Sequence, residues 1–148
     1  MSYFTTVYTD IRTVIAATWT DVLANGIWEV EHENMVPWGD ITPPVASICI
    51  TTTPLAPDWG AANQIYNPQV SIHYAGIIAG DSTSIRAKLE ALRDALLANT
   101  VPSTLCVLDV TELTWSDTLE ANAALMAKNY SYRAGRLTAS VLAGTMAT

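Results

Sequence analysis

The sequence predicts an α+β fold: an antiparallel or mixed sheet of about five to six strands, with two main helices packed on one face. Three observations predict it. One stretch, DSTSIRAKLEALRDALLAN (81–99), has unambiguous helical periodicity. Strand-like runs stand on both sides of that stretch, so the helix has a sheet to cover. A second amphipathic run opens the chain. The 148 residues suit a single domain, 1–148, with a proper core.

In the 81–99 stretch Ile85, Leu89, Leu92 and Leu96 form one stripe, while Arg86, Lys88, Glu90, Arg93 and Asp94 fall largely off it. Asp81, Ser82 and Ser84 offer oxygens to the free amides of a first turn, and Asn99 and Pro102 mark the exit. Residues 4–25 read as a first helix, with Ile11, Ile15, Trp19 and Leu23 on one stripe and Val7, Val14 and Val22 broadening it. Its β-branched residues make it a weak intrinsic helix that depends on packing. Asn25-Gly26 stops it, because glycine enters the left-handed region without steric penalty.

Residues 27–33, IWEVEHE, alternate as an edge or solvent-facing strand: Trp28, Val30 and His32 on one face, Glu29, Glu31 and Glu33 on the other. Same-face carboxylates stand about 7 Å apart on a strand, too far to hold one ion without further ligands. Residues 34–44 form a turn-rich connection and 45–53 a strand. Residues 54–68 read as an extended irregular loop, the kind that is usually functional or mobile. Trp38 and Trp59 lie in these connections; each either anchors a partner or folds onto the domain's own core. Residues 69–78 alternate as a strand whose outward set includes His73.

After the 81–99 helix, residues 104–110 are apolar on both faces, as in a covered central strand, and continue through Trp115 with a bulge near Asp109. Residues 117–129 are a short helix through Leu119, Ala123 and Met126, or an ordered loop. Residues 130–142 are a final strand or hairpin broken at Ala134-Gly135, and 143–148 a frayed tail.

Only 14% of the residues are charged, against about a quarter in ordinary soluble domains. A surface this short of charge points to coverage by other protein; the alternative is a monomer with a Thr/Ser/Asn-rich exterior. The net charge of −7 is concentrated early: residues 1–80 hold seven acids and one base, Arg12. Such a domain has no basic patch for phosphates or anionic lipid, but like charge would let DNA slide past without sticking. The opening MSYFTTVYTDIR lacks the basic-then-apolar pattern of a leader, and no run reaches the length of a membrane span, so assembly in a cytoplasm is expected. Cys49 and Cys106 read as two buried thiols.

Catalysis needs a nucleophile with its base, paired acids or a metal site. His32 and His73 lack metal-ligand spacing, and there is no phosphate loop, nucleophile elbow or CxxC. Asp109 and Glu112 read as strand-end charges. No catalytic residue, metal ligand or cofactor is expected. Arg133 and Arg136 flank a glycine and are placed to pair with acids of a neighbouring copy, or to sit as an ordinary solvated pair.

The full pattern resembles the tail-terminator family of long-tailed bacteriophages, and more loosely their head-closure and tail-completion relatives. The features that carry it are the N-terminal helix ending at Asn25-Gly26, the acidic IWEVEHE, the Pro/Trp connection, two strands, SIRAKLEALRDALLAN, and the closing NYSYRAGRLTASVLAG. The 54–68 loop is a departure. The resemblance implies a structural virion protein, assembled in a host bacterial cytoplasm as a homohexameric ring. Its partners would be the tail-tube protein and a neck or connector protein, with DNA passing through unbound. Glu29, Glu31 and Glu33 are the candidate lumen residues; Trp38, Trp59, Arg133 and Arg136 are the candidate interface. A head-tail stopper or adaptor ring is the alternative, followed by a small cytoplasmic enzyme or ligand-binding domain.

Overall fold

A computed structural model describes residues 3–52, 63–66, 68–78, 84–98 and 105–146. Helix α1 (Tyr3–Thr18) opens the chain, and a 3₁₀ turn follows at Thr20–Ala24. Next come strands β1 (Ile27–Val30), β2 (Val45–Thr52), β3 (Asn63–Tyr66) and β4 (Gln69–Ile77). Helix α2 (Ile85–Leu97), strand β5 (Leu105–Thr114), helix α3 (Glu120–Lys128) and strand β6 (Tyr132–Met146) complete it. The α+β class is as the periodicity predicts.

All six strands form one mixed sheet. β1 runs parallel to β2, β2 antiparallel to β4, and β4 antiparallel to β6. β6 is the hub. It also pairs with β5, and its last residues, Ala143–Met146, pair with β3. Ala143 faces Leu105 across one edge and Tyr66 across the other, so β3 continues the line of β4 while β5 lies opposite.

Helices α1 and α2 cover one face. Val7, Ile11, Val14 and Ile15 of α1 meet Leu89, Leu92 and Leu96 of α2 over Ile48, Ile72, Leu137 and Ala139 of the sheet. Ser84 caps α2 by accepting a hydrogen bond from the Ala87 amide (3.2 Å), as the serine-rich start foretells. The other face carries a smaller layer: α3 and the segment around Val36, Trp38 and Ile41 pack on Val45, Cys49, Ala75 and Ala134.

Several expectations are corrected. The first helix breaks at Trp19 (φ −110°, ψ 69°), whose indole donates to the Lys88 carbonyl at 2.9 Å and packs against Tyr74. The break turns Val22 inward and leaves Leu23 56% exposed. β1 ends at Val30, so Glu31 and Glu33 lie beyond it and the row of three glutamates does not form. The Tyr8 hydroxyl ends that ladder: it donates to the Val30 carbonyl (2.8 Å) and accepts from the Ile50 amide (3.4 Å). The 54–68 loop contains β3, and the tail stays in β6 as far as Met146. β5 is an edge strand among the described residues, pairing only with β6; its register shifts at Val107/Asp109, where a bulge is expected, and again at Val110/Glu112.

The final strand does not break at Ala134-Gly135. A Cβ at Gly135 would stand 2.5 Å from Ile85 Cγ2 and 2.8 Å from Leu89 Cδ1. The glycine admits α2 against the strand rather than turning it. In α3 the buried side chains are Ala121, Asn122 and Leu125, with Leu119 just before them, while Ala123 is exposed.

Candidate functional site

The most furnished concavity lies on the second face, between α3, the 33–38 segment and the sheet. It encloses about 280 Å³. Register alone places its floor: His73 of β4 is the direct partner of Arg136 of β6. Glu33, Trp38 and the first turns of α3 form its walls.

The structure brings four separately noted residues together here. His73 is only 3% exposed, not an outward strand residue, because α3 and the Trp38 segment cover this face. Its ring lies 5.3 Å from the Trp38 ring, centroid to centroid. Burial is the main force on the imidazole and holds it down to about 4; Glu33 pulls upward and Arg136 pushes further down. It is therefore neutral at pH 7. Arg136 binds Glu112 through Nη2 (3.1 Å) and reaches Glu33 through Nη1 (3.6 Å). A hydrogen bond from the Thr114 hydroxyl (2.8 Å), and after it the one from Arg136, holds the Glu112 carboxyl below the usual range. Two buried atoms on the floor, His73 Nδ1 and Arg136 Nε, have no hydrogen-bond partner among the described residues.

The other candidates are dispersed. Glu29 pairs with Arg12 at 3.1 Å in a half-exposed bridge on β1. Glu31 is exposed, and its carbonyl accepts from Cys49 Sγ at 3.3 Å. Trp38 is buried, so its ring packs within the domain's own interior. Trp59, and the side chain of Cys106, lie outside the described residues. Cys49 is buried, which pushes its thiol up to about 11, and the Glu33 charge adds to this.

Arg133 is 6% exposed and bonded within the chain. It holds Asp117 at 3.0 Å and the carbonyls of Tyr130 and Tyr132, and its guanidinium lies 4.7 Å from the centroid of the Tyr130 ring. It thus ties the excursion through α3 back to the start of β6. Sequence reasoning missed Asn122. Its amide nitrogen donates to Ser116 O (2.9 Å) and Ala134 O (3.1 Å), and its oxygen accepts from Ala134 N (2.6 Å). An asparagine inside an apolar helix face is the one signal that pointed to it.

A second knot joins the opposite layer. Asp21 Oδ2 accepts from the Tyr74 hydroxyl (2.6 Å) and pairs with Lys88 Nζ (3.2 Å), which also lies over the Tyr74 ring. Burial raises the Tyr74 phenol, with Asp21 adding to the effect. This network fixes the turn after α1 to α2 and β4. No group of three or more His, Cys, Asp or Glu side chains able to hold a metal occurs among the described residues. No helix among them is long and apolar enough to cross a membrane.

No family model and no curated protein matches the chain. A solved structure titled "Virion of native gene transfer agent (GTA) particle" contains a similar chain. The match has 15% identity, a TM-score of 0.43, and covers 95% of this chain and 91% of that one. Likeness of that degree assigns neither fold nor function.

Proposed function

We propose that the chain is a structural protein of a phage-like virion. It forms a ring, as a homohexamer, at the head-proximal end of a tail tube, where it ends tube growth and joins the tail to a neck or connector protein. The observation that carries this reading is the surface. On a chain only 14% charged, Ile77, Trp115 and Tyr130 are exposed together at one end of the sheet, where β4 and β5 finish and β6 begins. Trp28, Met35, Leu23 and Leu97 add exposed apolar area elsewhere. A grouping of this kind is what a surface covered in assembly needs. The resemblance of the sequence to tail terminators supplies the ring and its place in the particle.

The geometry shapes the proposal. Direct strand addition at β1 is opposed, because Arg12 Nη2 already binds the Ile27 carbonyl (3.1 Å) and the strand is only four residues long. Ring contacts then fall to side chains of the aromatic end and to the outer edge of β5, which pairs only with β6 among the described residues. With Glu29 bound to Arg12 and Glu33 near Arg136, Glu31 is the most open of the three proposed lumen acids.

Electron microscopy of the protein mixed with polymerising tail-tube protein tests the reading. Rings at tube ends and shortened tubes are expected. Tubes of unchanged length with bare ends would refute it. In whole particles, density for this chain confined to the neck, away from the tube, would favour a stopper or adaptor ring instead.

A further inference from the structure

The aromatic end needs a surface to meet, and the chain carries one. A groove of about 370 Å³ lies between α1, the turn after it and the start of β1. Ala16, Leu23 and Ile27 line it with apolar surface, and Thr9, Arg12 and Thr13 with polar. Leu23 is 56% exposed there, and Trp28 stands exposed next to Ile27. Arg12 shapes what the groove accepts. Its Nη1 binds Glu29 and its Nη2 the Ile27 carbonyl, each at 3.1 Å, so the guanidinium is held by its edge. A planar cation fixed in that way stacks on an aromatic face with little further loss of freedom.

Tyr130 has the matching shape. It is 75% exposed and sits in the turn between α3 and β6. That turn is braced: the Tyr132 amide donates to the Asn129 carbonyl and the Ser131 amide to Asn129 Oδ1, both at 2.9 Å. The Arg133 guanidinium lies against the ring, 4.7 Å from its centroid. A tyrosine held out on a rigid turn pays little ordering entropy on docking, and tyrosines are common anchors of interfaces.

Tyr130 and the groove are separate patches. Tyr130 precedes β6, three strand spacings, roughly 14 Å, across the sheet from β1. Two copies joined through them leave one Tyr130 and one groove free, so the contact is head-to-tail and continues. Charge favours that order. Residues 1–80, which build the groove, hold seven acids against one base; residues 81–148, which carry Tyr130, hold seven against six. Groove against groove sets acid on acid. Head-to-tail order sets the acidic half against a nearly neutral one, with the exposed Lys128 two residues before Tyr130.

We propose that Tyr130 of one copy inserts into the α1–β1 groove of the next, its ring stacked on Arg12 and packed on Leu23. The proposal rests on the ring reading in taking a second copy as the occupant, and it names the contact that repeats around the ring.

Sedimentation of the purified whole protein up to about 1 mM, which populates even weak contacts, tests it. Wild type should form a concentration-dependent series that passes beyond the dimer. Tyr130→Ala removes the anchor and Leu23→Glu sets a charge in the groove; both positions are exposed, and each variant alone should self-associate about tenfold more weakly or less still. Mixed, the two should form dimers and nothing larger, since each supplies the half that the other lacks. If circular dichroism shows Leu23→Glu to be misfolded, Thr13→Trp, which fills the groove from the exposed side of α1, takes its place. A wild type that stays monomeric, single variants that associate like wild type, or a mixture that stays monomeric would each overturn the contact. A monomeric wild type whose groove variants fail only in capping tubes would assign the groove to the tube protein and likewise overturn it. Rings at tube ends beside a failed mixture would refute this contact and leave the ring reading standing; dimers in the mixture beside bare tube ends would do the reverse.

Discussion

At Gly135 a missing side chain decides how close a helix can come to a strand. Gly135→Ala would bring a methyl against Ile85 and Leu89, as well as 3.1 Å from the Thr114 carbonyl. Overpacking of this kind typically lowers stability by about 1–3 kcal/mol. Urea unfolding should show that loss, and Gly135→Ala combined with Ile85→Ala should be less destabilised than the two single losses summed. Additive losses would show that the clash is not what the glycine avoids. His73 makes a residue-scale prediction of a different kind. Its folded value, about 4, lies below the ordinary 6.5, so the unfolded chain binds the proton more readily. Its contribution is complete above pH 6.5 and is lost as pH falls toward 4, on the order of 3 kcal/mol in all. The stability difference between wild type and His73→Gln, measured by urea unfolding across that range, should change with pH in this direction; a constant difference would contradict the burial argument. Neither effect could be read from the sequence. A glycine that ends a strand and one that admits a helix are spelled alike. The alternation around His73 shows which residues share its face but not whether a further layer covers it.

Among the elements, α2, β2 and β4 were plain because local pattern and tertiary packing agree. Ile85, Leu89, Leu92 and Leu96 were one stripe in the sequence and are one buried face in the fold. Where distant residues intervene, boundaries moved. The extent of β1 is set by the Tyr8 hydroxyl, 22 residues before Val30, and the break after α1 by the indole bond from Trp19 to Lys88. Helix α3 was the least legible, since a polar side chain, Asn122, lies among its few buried residues, Ala121 and Leu125. The Asn122 amide binds both backbone groups of Ala134, two residues before Arg136, the first β6 residue that pairs with β5. It acts there as a one-residue substitute for the strand that has ended. Asn122→Ala would leave a buried N–H and C=O without partners. At about 1–3 kcal/mol for each such group, a loss of about 2–6 kcal/mol is expected in thermal or urea unfolding. Asn122→Asp, which retains the acceptor for the Ala134 amide but not the donor, should fall between. Because aspartate keeps the volume of asparagine, an Asn122→Asp variant as stable as wild type would mean that volume, not hydrogen bonding, holds α3.

For the molecule as a whole, composition indicated the class of surface but not its layout. The sequence named Trp38, His73, Arg136 and Glu33 separately; only the β4–β6 register and the covering by α3 make them neighbours. The same covering withdraws Trp38 from the exterior, and its bonds to Asp117, Tyr130 and Tyr132 withdraw Arg133, leaving Trp115 and Tyr130, the latter 75% exposed, as the aromatic end available to other protein. Carboxylate pairing likewise leaves Glu31 the most open of the three glutamates at 29, 31 and 33. The centre of the sheet, finally, is its last-made strand. β6 hydrogen-bonds to β3, β4 and β5, all of which precede it in the chain. During synthesis on a ribosome those three strands emerge with no common partner, and the sheet cannot close until residues 132–146 have left the exit tunnel. The half of the sheet around β6 is thus completed last, and until then β4 can pair only with β2 while β3 and β5 lack the strand they pair with here.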